Sequence, residues 1–390
     1  MNVPRTPAVG QRTIARVDAA RDPPGRLLNV NGSLDLSVLG STAHPTLGLD
    51  TFGDVGRLAD GSPQHQADAI RETVAEGVLA DSVGVDYLGL GEHHRPDYAI
   101  SAPDVVLAAV AGQTERLRLG TGVTVLSSDD PVRVYQRFAT LQALSNGRAE
   151  VQLGRGSFIE SFPLFGYDLD DYDTLFAEKV ELFTALQAEQ PVTWSGTKRA
   201  SLSQQTVHPR TEQGVPAWLA VGGSPQSVVR AASFGLPLVL AVIGGSPGQF
   251  APFADLYRRA LTESGQALLP IGMHSPGHVA ATDEQAREQL FPHQKDLYER
   301  LGRERGWGPY SRIAFEQGAS PTGAMFVGSP ETVAQKIAWA CRTLGLSRFQ
   351  LKYSVGALPH EQRMESIRLY GTEVIPRVRE LLAEEPTQVG

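Results

Sequence analysis

YLGLGEHH at residues 87–94, LRLGTGVTVLSSDDPVRVYQRFATLQALSNGR at 117–148 and AEVQLGRGS at 149–157 set the architecture of this chain. Each contains an apolar run that stops at a cluster of Gly, His, Ser or Arg, and helical patterns lie between them. Apolar runs alternating with helices read as buried parallel strands in βαβ units. Chemistry in such folds gathers at the carboxyl ends of the strands. Glu92, His93, Gly122, Ser127, Arg155, Gly156 and Ser157 all lie just past such runs.

Working outward, the same alternation continues in both directions. TLGLDTF (46–52) is the first strand, with the second and third at 86–92 and 117–123 and the fourth at 149–154. PAWLAVGG (216–223), LPLVLAVIGG (236–245), PIGMHSPGHVA (270–280) and SRFQLKYS (347–354) supply four more. Pro103 and Pro131 open helices at the first turn, and Asn146-Gly147 closes the second of these. About eight strands in one direction, each followed by a helix, predict a (β/α)₈ TIM barrel with insertions and an N-terminal extension. Residues 1–45 form that extension, partly disordered or packed on the barrel exterior, with a weak hairpin turning at Asn31-Gly32; residues 46–390 form the barrel domain. Residues 191–215 read as a polar insertion or short hairpin, and 306–324 as an irregular loop over the mouth. An open doubly wound sheet would place a phosphate loop after its first strand, and none is present.

Composition narrows the function classes. A net charge of -8 without a basic stripe argues against nucleic acid as the main partner. No apolar run approaches the roughly 18 residues of a membrane span, and no signal-peptide core follows the N-terminal arginines, so a cytoplasmic protein is expected. The single cysteine, Cys341, lies in the helical run AQKIAWACRTLG and reads as a packing residue.

Adjacent residues on a strand face opposite sides, so only one of His93 and His94 can point into the mouth. An imidazole there titrates near neutral pH and can move a proton; it can equally be a satisfied structural histidine. Gly222-Gly223-Ser224-Pro225 joins a strand to a helix, and free N–H groups at a helix start bind anions. Ser227 adds a hydroxyl, although an ordinary capped turn with Ser224 as N-cap reads the same way. Gly244-Gly245-Ser246-Pro247 repeats the chemistry one unit later. Gly154-Arg155-Gly156-Ser157 puts a phosphate-binding guanidinium between glycines. His274 and His278 could share a face, but no further ligands accompany them and no metal is expected. Phe158, Phe162, Phe165 and Tyr167 line a pocket or pack. The helix at 131–145 carries more apolar residues than one face needs, which predicts a homodimer through the first half of the barrel.

Together these segments resemble the bacterial luciferase-like flavin-dependent monooxygenases over about residues 46–375. The most specific part is Glu92-His93-His94 followed by LRLGTGVTVLSSDDPVRVYQRFATLQALSNGRAEVQLGRGS. The segments at 156–169, 218–238, 274–280 and 355–361 are similar to a subgroup with unknown substrates. The resemblance implies a dimeric barrel that holds FMN at the carboxyl ends of its strands. The FMN would be supplied reduced by a separate NAD(P)H-dependent flavin reductase, and would use oxygen to oxygenate a small organic substrate. By position, His93 matches the catalytic histidine. Gly122 and Val123 match a bulge behind the flavin ring, where a non-proline cis peptide is expected and Val123 is to press toward the flavin. Arg155, Gly156 and Ser157, with Gly222, Gly223, Ser224 and Ser227, match the phosphate contacts. Gly154 stands where bacterial luciferase has a cysteine, so light emission is not implied. Alternatives are a deazaflavin-dependent hydride-transfer enzyme on the same fold and a non-catalytic flavin-binding protein.

Overall fold

Thr46–Thr51 (β1) is buried along its whole length, as expected of a strand covered on both faces. In the computed structural model, which describes residues 36–156, 158–211 and 214–384, eleven more strands follow. They are Tyr87–Leu90 (β2), Arg118–Thr121 (β3), Thr124–Val125 (β4), Val151–Gly154 (β5), Val192–Trp194 (β6), Leu202–Gln205 (β7), Ala217–Val221 (β8), Leu238–Ala241 (β9), Ile271–Val279 (β10), Phe326–Gly328 (β11) and Arg348–Lys352 (β12). Nine of the twelve pair in parallel in the order β3-β2-β1-β12-β10-β9-β8-β5-β4, and β11 pairs in parallel with β10. Strands β3 and β4 are two pieces of one stave. Gly122 N–H donates to Leu90 and Glu92 N–H to Val123, and a bridge between Leu119 and Ala149 brings β3 against β5. The result is a nearly closed (β/α)₈ barrel, with every predicted strand present.

The break between β3 and β4 falls at Gly122-Val123, whose peptide bond is cis, as expected. Helices cover the outside because their apolar stripes match the strands' outer faces. Pro131–Leu144 shows how. Asp130 caps it by accepting from the N–H groups of Val132 and Arg133, and Val134, Tyr135, Phe138, Ala139 and Leu141 are buried. That burial accounts for most of its apolar excess; Leu144 remains exposed.

Within the 191–215 insertion, β6 and β7 pair as an antiparallel hairpin. Two expectations fail. Residues 306–324 contain a helix, Arg312–Ala319, capped by Ser311 and held by buried Phe315 and Ala319. Its Gly- and Pro-rich flanks hide it in the sequence. Leu36–Leu39 is a short 3₁₀ turn rather than a strand arm, and Leu39 packs on Trp218 and Val239. The Asn31-Gly32 turn lies outside the described residues. Beneath the barrel, Arg348 is fully buried against Glu150, between the rings of Tyr87 and Trp218.

Candidate active site at the barrel mouth

All staves run the same way, so their carboxyl ends share one rim. Phe52 follows β1, His93 follows β2 and the cis peptide interrupts the third stave. The rings of Phe52, Tyr98 and Phe158 stand around His93 at centroid distances of 4.6, 4.6 and 5.3 Å. His93 N–H is tied to Ile100 O at 2.9 Å, which fixes the loop. Burial among these rings takes the His93 imidazole down to about 3, with Lys352, His94 and Arg95 adding to the effect and Asp54 opposing it. His93 is therefore neutral at pH 7, which corrects the expectation that it titrates near neutrality.

His94 turns away, as strand alternation requires. Its Nε2 lies 3.0 Å from Glu92 Oε1, while Glu92 Oε2 accepts from Val125 N–H at 2.9 Å. Glu92 thus fastens the second stave to β4. The predicted aromatic run divides: Phe158 faces His93, Phe162 is buried against Tyr172, Phe165 stands exposed beside His94, and Tyr167 carries Lys179 over its ring.

A second centre lies across the rim. Arg155 follows β5, and its Nη2 is 3.4 Å from Ser227 Oγ on helix Pro225–Ser233. Ser224 caps that helix, accepting from Ser227 N–H at 3.2 Å and donating to Ser227 Oγ at 2.8 Å. Gly223 adopts φ +108°, and a side chain at Gly222 or Gly244 would meet open space. Arg155 is steadied by Asp173 at 2.9 Å and lies over the Tyr172 ring; Arg230 is 3.9 Å from the same carboxylate. The structure therefore brings Arg155, Ser224 and Ser227 together with the glycine turn. Gly156 sits beside them at φ +75°, a conformation that suits glycine. Ser157 lies outside the described residues. Val123 packs on Gly154, where an added Cβ would come within 2.5 Å of its Cγ2.

Sequence reading missed Asp50, Phe52, Tyr98, Tyr172, Asp173 and Arg230. Asp50 had a signal, being the one charge inside the apolar run TLGLDTF; the others carry none until the chain folds. Among the described residues no group of His, Cys, Asp and Glu forms a metal site, and no helix is long and apolar enough to cross a membrane.

Comparison with known proteins adds to this geometry. The model of the luciferase-like monooxygenase family matches residues 55–348. The crystal structure of monooxygenase RslO1 from Streptomyces bottropensis is similar at 25% identity and a TM-score of 0.72, over 85% of this chain and 99% of that one. The oxygenating constituent of 3,6-diketocamphane monooxygenase from Pseudomonas putida, in complex with FMN, is similar at 17% identity and 0.68, over 86% and 99%. The coenzyme F420-dependent tetrahydromethanopterin reductase of Methanopyrus kandleri is similar at 18% and 0.62, over 86% and 99%. The last two likenesses concern the fold alone.

Proposed function

The chain belongs to the luciferase-like monooxygenase family, and from that premise we propose that it is an FMN-dependent monooxygenase acting on a small organic substrate. The observation that carries the reading is the meeting of Arg155 with the Ser224–Ser227 helix start. A guanidinium, two hydroxyls and a helix N-terminus behind a glycine turn form an anion cradle of the chemistry a phosphate takes. Arg155 and Arg230 are the cations there, and Asp173 lies against both. That limited positive charge favours the monophosphate of FMN over a longer anionic deazaflavin tail.

Reduced FMN, when bound, supplies the electrons that activate oxygen for transfer to the substrate. The protein's part is placement and exclusion of water. Arg155, Ser224 and Ser227 hold the phosphate. The absence of a side chain at Gly222, where a Cβ would meet open space, leaves room beside the cradle for the rest of the cofactor. Phe52, Tyr98 and Phe158 keep water from the reacting centre. His93, neutral in its cage, offers one ring nitrogen as hydrogen-bond donor or acceptor. A separate reductase is the proposed source of reduced flavin, and a reducing cytoplasm, where buried Cys341 stays a thiol, its proposed compartment.

Titration with FMN in both redox states, and with a deazaflavin, tests the assignment. Binding of FMN, tighter when reduced, is expected. Exclusive binding of the deazaflavin would transfer the chain to the hydride-transfer branch of the fold.

A further inference from the structure

Asp50 is fully buried at the end of β1, and its Oδ2 lies 2.6 Å from His274 Nδ1 on β10. Its other oxygen, Oδ1, is buried with no hydrogen-bond partner. It is threaded between Gly89, where a Cβ would collide with it, and Gly122, where a Cβ would lie 3.1 Å away. The carboxylate therefore reaches the cis peptide of the third stave because both neighbours lack side chains. On the other side Phe52 lies nearly parallel to the His274 ring, with centroids 6.2 Å apart and planes 12° apart. That same Phe52 packs on His93.

The two ends of His274 differ. Nδ1 is fixed by Asp50. Nε2 has no partner among the described residues and is not sealed from solvent, and His274 keeps 9% of its surface open. His278, four residues on, is a useful contrast. It is fully buried, and its Nε2 is bonded to Gln289 at 2.8 Å. An imidazole that served only as counter-charge for Asp50 would need no access to the mouth.

We propose that His274 is a proton-accepting residue of the mouth, held in its accepting tautomer by Asp50 as positioning residue, and that its partner is the acidic hydroxyl of a planar phenol or enol. A carboxylate at Nδ1 keeps the imidazole proton there and leaves the lone pair on Nε2. The substrate O–H bond breaks with its electron pair staying on oxygen, and the proton forms a new N–H bond at Nε2. The imidazolium so formed is stabilised by Asp50; no oxidant enters this step. An aromatic or enolic oxyanion pushes electron density into its ring or double bond, which prepares that carbon for oxygen transfer. Phe52, His93, Tyr98 and Phe158, packed edge to face and tilted against one another, give the mouth an aromatic lining that favours an aromatic or enolic guest. The titratable and charged groups facing His274 are Asp50 from β1, the neutral His93 across Phe52, and Lys352 over the Phe52 ring with its partner Asp54; Tyr87 and Arg348 lie deeper.

The choice of substrate class rests on the monooxygenase reading, but the test does not need it. The full-length protein, with and without FMN, is titrated with 4-nitrophenol, whose absorbance reports its ionisation. Bound nitrophenol should ionise about 1–3 pH units below the free compound, the range an opposite charge produces. His274→Gln should abolish the shift and Asp50→Asn should shrink it. Independently, nitrogen NMR of imidazole-labelled wild-type protein should show His274 protonated at Nδ1 and not at Nε2. An unshifted bound nitrophenol, no binding at millimolar concentration, a shift that survives in His274→Gln, or an Nε2–H tautomer would each overturn the proposal. Should either variant fail to fold, the wild-type titration and spectrum still decide it. FMN binding without the nitrophenol shift sinks this inference alone; the shift without FMN binding sinks the cofactor assignment alone.

Discussion

His93 and Gly154 show how single residues set this site. The cage of Phe52, Tyr98 and Phe158 holds His93 well below its ordinary range, at about 3. The unfolded chain takes up that proton near the usual histidine value of about 6.5. The folded form therefore loses stability as pH falls from about 6.5 toward 3, because unfolding binds a proton that folding releases. His93→Gln removes this liability, so its acid-unfolding midpoint, followed by circular dichroism, is expected below that of the wild type. The same variant should lower turnover by roughly 10²–10⁴ if the imidazole manages a proton, with FMN affinity within about tenfold; product yield from reductase-supplied flavin measures this. Gly154 is the seat of Val123, and Gly154→Ala forces the valine side chain to move. Overpacking of this kind costs about 1–3 kcal/mol, and a thermal unfolding scan should show the drop.

At the scale of elements, the anion cradle is one strand end and one helix start. Strand β5 delivers Arg155; the turn after β8 delivers Gly222, Gly223 and the Ser224 cap. Losing a hydrogen bond to a charged group costs about 1.5–3 kcal/mol, or roughly 10–100-fold in affinity. Arg155→Ala should weaken FMN by that factor and leave riboflavin, which lacks the phosphate, almost unchanged. Equal losses for both ligands in fluorescence titration would place Arg155 away from the phosphate. Below the mouth, Glu150 on the lead into β5 clamps Arg348 of β12 across the barrel, with Nη2 3.0 Å from Oε2 and Arg118 beside them. Burial alone would raise the Glu150 carboxyl, yet Arg348 and Arg118 hold it below its ordinary range. Glu150→Gln leaves an uncompensated buried guanidinium, which costs about 3–5 kcal/mol. Urea unfolding should show a lower midpoint with an unchanged slope.

Across the whole molecule, the barrel's strands converge on one rim while the opposite end is closed by Leu39, Trp218 and the Arg348 pair. The outer face of the first half keeps exposed apolar residues, Val105 and Leu144, on neighbouring helices. They line a shallow groove with Ala108, Arg133, Gln136 and Thr140. A homodimer through this face remains our expectation. Light scattering at micromolar concentration should give twice the chain mass, and a charge at Leu144 should lower it. A monomer mass for the wild type would remove the claim.

The sequence by itself determined the barrel, because strands buried on both faces must be continuously apolar and helices between them must repeat every three to four residues. It also located the rim, and marked Gly122-Val123 through two glycines in a β-branched run. Which of two adjacent histidines faces inward, and that Arg155 and Ser227 meet 72 residues apart, only the fold decided. So too with Asp50 and His274, which are 224 residues apart. A carboxylate and an imidazole on the first and seventh staves become partners only when the sheet closes, and no local pattern encodes that closure. The His93 pKa belongs to the same class, since it depends on rings from three separate loops being packed around one side chain.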